Sequence, residues 1–125
     1  MVRAALPTLE ELRARELAEL AALRWEKETG GTLFNGMPVA TDAVSQTKYI
    51  GAVVGAQIDP NAVINWMMAD GTFVTLDAQA ITTVAMAVRA HVQACFDREA
   101  ELKAQIEAAT TEDGIAAIDL NTGWP

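Results

Sequence analysis

The stretch "NWMMADGTFVTLDAQ", Asn65–Gln79, holds two short apolar runs folded about Asp70-Gly71 and leads at once into a helix start. Asp-Gly between alternating apolar residues is a strong local hairpin signal, because its residues tolerate the backbone a tight turn requires. Read as a two-residue turn, Asp70-Gly71 sets Met68 opposite Phe73, Met67 opposite Val74 and Trp66 opposite Thr75. Alternation then puts Trp66, Met68 and Phe73 on one face, with Met67, Val74 and Leu76 on the other. A two-stranded hairpin is marginal alone. It must therefore join a second hairpin or lie beneath helices. Two apolar faces also call for cover on both sides, and a second subunit is the economical way to supply it.

Downstream, Thr75 or Asp77 caps the third and longest predicted helix, about Leu76 to Ala109. Ile81, Ala85, Val88, Val92, Cys95, Glu99, Leu102 and Ile106 recur by fours and threes, a heptad seam interrupted by Glu99. Such a seam fits a coiled coil or a bundle, with core packing inside one chain as the alternative. The tail "TTEDGIAAIDLNTGWP" (110–125) is turn-rich, and Trp124 is expected to dock on this chain or on a neighbour.

Upstream, "GGTLFNGMPVATD" (30–42) carries a second hairpin signal at Asn35-Gly36, and Pro38 confines its strand to an edge. Thr41 or Asp42 caps a second helix, about Ala43 to Gln57, and "DPNA" (59–62) is a loop. Gly51 and Gly55, one turn apart in that helix, predict close approach of another backbone, read as tight helix packing within the chain. The first helix runs from Thr8 to Thr29 and stops at Gly30-Gly31. Its leucines at 6, 9, 12 and 17, 20, 23 form an eleven-residue repeat. Glu16 inside that stripe implies a seam open to water or an ion pair. This helix either zips onto another chain or covers its own domain.

The elements define an α+β protein of two β-hairpins and three helices, the first and last long and amphipathic, suited to coiled-coil or bundle association. Residues 1–29 form an N-terminal amphipathic helix, and 30–125 an α+β domain. The candidate interface comprises Leu9, Leu12, Leu20 and Leu23 on the first helix. It continues through Trp66, Met67 and Val74 in the hairpin and Val88, Val92, Leu102 and Ile106 on the seam, ending at Trp124.

Composition narrows the partners. The 125 residues carry 17 acids against 9 Lys and Arg, a net charge of −8, which disfavours nucleic acid and anionic membrane surfaces. No apolar run approaches the roughly 20 residues of a membrane span. The segment "MVRAALPTLEELRARELAEL" lacks the apolar core of a signal peptide. One cysteine, Cys95, cannot form an internal disulfide, which indicates a reducing cytoplasm.

Chemistry-bearing motifs are few. His91 and Cys95, at i and i+4, offer two metal ligands without others to complete a site. The pair also lacks the orienting group of a nucleophilic centre. Glu10, Glu11, Glu19, Glu26, Asp97, Glu101 and Glu107 read as a solvated helix surface, and Asp42, Asp70 and Asp77 as caps and turns. "GGTLFNG" matches no phosphate-binding loop. No metal, cofactor or catalytic residue is expected.

Four blocks considered together carry a resemblance: "GGTLFNGMPVATDAVSQTKYIGA", "INWMMADGTFVTLDAQAI", "AVRAHVQACFDRE" and the closing Trp124-Pro125. In order and spacing they resemble an uncharacterised domain of tailed bacteriophages and prophages, encoded among tail genes near tail fibres or tail-fibre assembly proteins. The likeness covers about Gly30 to Pro125, and the leucine-rich first helix is the part least like the family. It implies no catalytic residues. The implied role is a homo-oligomeric structural or interaction protein at the tail tip or fibre base. It would be present in the bacterial host cytoplasm during assembly and in the virion tail afterwards, with a tail or tail-fibre protein as partner. A tail-fibre assembly chaperone is the alternative, and a cell-surface-degrading enzyme a third.

Overall fold

The computed structural model describes residues 5–125. Residues 1–4, the start of the segment read as lacking a signal peptide, lie outside the described residues. Eight elements follow in order: α1 (Leu9–Thr29), β1 (Thr32–Phe34), β2 (Met37–Val39), α2 (Ala43–Ile58), β3 (Val63–Met67), β4 (Phe73–Asp77), α3 (Ala78–Ala108) and α4 (Glu112–Ala116). The α+β architecture of two antiparallel hairpins with long first and third helices is as the sequence predicts. α4 is an addition: Thr111 caps it by accepting from the Gly114 amide at 3.0 Å.

The long helices begin where side-chain oxygens meet orphan amides. Thr8 accepts from Glu11 N at 3.1 Å, Asp42 from Ser45 N at 3.2 Å, and Asp77 from Ala80 N at 2.8 Å. Of the paired candidates, Asp42 and Asp77 are therefore the caps, and Leu76 belongs to β4 rather than to the helix. Thr41 has another task. Fully buried, it accepts from the Gly31 amide at 2.8 Å and so ties the exit of α1 to the entry of α2.

The Asn35-Gly36 turn forms as predicted, with φ of 50° and 76° at its two residues. At the other hairpin the register differs by one: Met67 pairs with Phe73, Trp66 with Val74 and Ile64 with Leu76. Only Gly71 has positive φ, at 86°. Asp70 instead accepts from the Thr72 amide at 3.0 Å, and the Gly71 amide donates to the Met68 carbonyl at 2.9 Å. The connection is thus a three-residue loop, Ala69–Gly71, in which a turn is followed by a left-handed glycine. The slip re-sorts the faces. Ile64, Trp66, Val74 and Leu76 face inward together, while Val63, Met67 and Phe73 face outward and are 64%, 59% and 68% exposed. Phe73 and Met67 share the outer face, and Val74 has moved to the inner one beside Trp66. The two hairpins do not merge into one sheet and touch through the Ala69 amide and the Pro38 carbonyl at 3.1 Å.

α3, about 46 Å long, carries two cores. Its N-terminal half gives Ile81, Val84 and Val88 to a cluster with Val39, Tyr49, Ala56, Met68 and Leu76. Its C-terminal half gives Leu102 and Ile106 to a second cluster with Leu20 and Leu120, and Trp124 packs against that cluster. Trp124 docks on its own chain, its indole N–H donating to the Leu120 carbonyl at 2.7 Å. Glu16 lies half-buried on α1. Among the described residues, no helix is long and apolar enough to cross a membrane.

Candidate functional site

Of the twelve residues assigned to an interface, Leu20, Val88, Leu102 and Ile106 are buried within this chain, none more than 5% exposed. The heptad seam of α3 is therefore occupied internally, by α2 and the hairpins at one end and by α1 at the other. Leu23 and Trp124 pack against the second core, and Trp66 and Val74 against the first. Leu9 and Leu12 are half-buried on α1, and Val92 is half-buried in a groove between α2 and α3. Met67 alone of the twelve points largely to solvent.

Trp66 is stacked on Tyr49, with ring centroids 5.0 Å apart and planes at 28°. The Tyr49 hydroxyl donates to the Ala40 carbonyl at 3.1 Å, which anchors the stack between hairpin and helix. Because the indole is only half-buried, Trp66→Ala is expected to cost about 2 kcal/mol, below the 3–5 of a fully buried aromatic. Equilibrium denaturation in urea reads that value directly.

A polar layer separates the two cores. Arg24 donates to Glu28 at 2.7 Å, lies 3.4 Å from Glu99 through Nε, and sits 4.6 Å from the centroid of the Phe96 ring. Its buried Nε makes no hydrogen bond, since the approach to Glu99 is a charge contact without hydrogen-bond geometry. Glu28, 7% exposed, also accepts from Gln46 at 3.3 Å. Glu99, which breaks the heptad pattern, is thus the counter-charge to an arginine on α1.

His91 and Cys95 lie beside this layer. His91 Nε2 is 3.0 Å from the Lys27 carbonyl and 3.8 Å from Cys95 Sγ. The ring ties the end of α1 to α3, and among the described residues no group of three metal-binding side chains forms. Burial, reinforced by the nearby Glu28 charge, raises the Cys95 thiol above its ordinary value of 9.0. The native thiol is expected to resist alkylation at pH 8 and to react only on unfolding, as mass spectrometry of time points would record. The raised value also fixes a sign. The stability it confers is fully present below pH 9 and is lost as pH rises through the folded-state value.

One apolar face that the chain leaves uncovered, on α2, holds none of the residues assigned to an interface from sequence. On α2, Val44, Ile50, Val54 and Ile58 are 64%, 67%, 47% and 80% exposed. Ile50 and Val54 join Ala85, Met86, Arg89 and Val92 in lining the groove against α3, a space of about 430 Å³. A second depression of similar size lies beside the Tyr49–Trp66 stack, bordered by Lys48, Asn65, Met67 and Phe73. The available sequence signal was charge: Lys48 is the only charged residue in the sixteen of α2.

The arrangement is that of a small helix-and-hairpin module filled from within and apolar on two outward surfaces. Residues 11–120 match the family described as a domain of unknown function (DUF4376), and the chain belongs to that family. The match takes in most of α1 as well as the hairpin region. No curated protein and no solved structure matches the chain.

Proposed function

We propose that this chain is a structural and interaction protein of a bacteriophage tail. It is a homo-oligomer at the tail tip or fibre base and acts by docking rather than by catalysis. The observation that carries the docking half is the pair of open apolar surfaces on a chain whose core is already filled. Contiguous exposed apolar area of this kind marks a place where another macromolecule binds. The tail setting rests on the resemblance of the four sequence blocks. The outer hairpin face, with Val63, Met67 and Phe73 beside Asn65 and Thr75, has the mixed apolar and polar character of a surface for an unlike partner, here a tail or fibre protein.

Quantitative mass spectrometry of purified particles carrying this gene tests the reading. Copies in fixed ratio to the fibre support a virion part. Absence from particles with normal fibres overturns that role. If, in addition, the fibre misfolds when made without this chain, the protein is an assembly chaperone that acts in the host cytoplasm. The open apolar groove would serve that second role as well.

A further inference from the structure

We infer that α2 is the self-association helix of this protein, its outward face packing on α2 of a second copy about a two-fold axis. The inference rests on the homo-oligomer proposed above and names the surface that makes it.

The first argument is charge. In a two-fold contact the same patch meets itself, so any acid on it is brought toward its twin. A chain with 17 acids and a net charge of −8 has little surface on which that is tolerable. α2 has no acid and one cation, and the facing part of α3, from Ala78 to Phe96, has no acid either. The outer hairpin face, by contrast, includes Asp77 in register with Val63.

The second argument is area. Val44, Ile50, Val54, Ile58 and Met86 are between 47% and 80% exposed. Together they present on the order of 500 Å² of apolar surface, a large share of the roughly 800 Å² each partner buries in a stable dimer.

The third is shape. Ile50, Val54 and Ile58 recur every four residues and form a ridge. Gly51 and Gly55 lie one position on and form a furrow of the same inclination beside it. A Cβ placed on either glycine would find nothing within 4 Å. The close backbone approach predicted from these glycines is therefore absent inside the chain, although glycine is among the least favourable residues in a helix interior. A ridge alongside a parallel furrow is self-complementary: each helix inserts its ridge into the other's furrow, the commonest way helices pack.

Gly55→Leu separates the two uses of this face. Leucine is a far better helix former than glycine, and the site is open, so the folded chain should hold or gain in melting temperature. The furrow is filled at the same time, so self-association measured by sedimentation should fall at least tenfold. Ile50→Glu, on the exposed ridge, should also yield folded monomer. As an independent readout, Gly51→Cys should give a covalent dimer on mild oxidation, since the native Cys95 is 0% exposed and stays silent. The inference is overturned if both variants keep the wild-type mass. The chain then assembles through another surface, and the tail role stands. A wild type that is monomeric at every attainable concentration yet present in virions also overturns it, the face then serving the tail partner.

Discussion

Val88→Glu is expected to abolish the fold. Val88 is 4% exposed and lies in the first core with the apolar Ile81, Val84 and Leu76 and the ring of Tyr49. Burying that charge costs several kcal/mol or forces the core open to water. A domain of this size holds only about 5–15 kcal/mol in total. Circular dichroism with heating should show no cooperative transition, or one lowered by tens of degrees. Val92→Glu, one helical turn on and half-buried at the groove, should leave the fold intact. The contrast tests whether the seam is an internal core: variants that behaved alike, both folded and both monomeric, would return Val88 to an intermolecular interface.

Glu28→Ala is the second large effect expected. Glu28 and Arg24 have side chains 9% and 18% exposed, so removing the carboxylate leaves a guanidinium between two cores with only Glu99 nearby. Breaking a buried pair from one side costs about 3–5 kcal/mol, and the remaining Glu99 contact places this case near 3. The double variant Arg24→Met with Glu28→Ala should recover part of that loss, because no charge is then stranded. A cycle of urea midpoints at constant slope measures both values. A single-variant loss below about 1 kcal/mol would mean that the pair is solvated.

How far the sequence could be read depended on how local each signal was. The caps at Thr8, Asp42 and Asp77, the Asn35-Gly36 turn and the stop at Gly30-Gly31 are set by neighbours within four residues, and each lies where local chemistry puts it. The Asp70-Gly71 hairpin slipped because Asp-Gly serves two turn types. Which one forms here depends on Asp70 bonding to Thr72, a choice the dipeptide does not reveal. One slipped residue was enough to exchange Val74 and Phe73 between faces. The seam of α3 was visible, but a periodic stripe looks the same whether its partner is another chain or two different parts of its own. Glu99 appeared as a flaw until Arg24, 75 positions away, supplied its counter-charge. The outward face of α2 was not legible because apolar residues on a helix read as buried until the packing shows otherwise. The rarer feature was a short helix almost without charge.

The far end of α3 has a consequence for how the chain comes to be folded. Arg13 donates to the Ala109 carbonyl at 2.7 Å and to the Ile106 carbonyl at 3.4 Å, so the last turn of α3 is closed by a residue some ninety positions earlier. Leu20 likewise finds Leu102, Ile106 and Leu120 only at the other end of the sequence. During synthesis α1 is made well before its partners on α3 and beyond. Its leucines stay wet while almost a hundred further residues are added, at about 5–20 per second. The hairpins and α2 meet their own core on α3 earlier. Folding on the ribosome is therefore expected to start with the hairpins, α2 and the first half of α3, with α1 joining after them; α1 should be the last segment to gain protease resistance as the chain is lengthened.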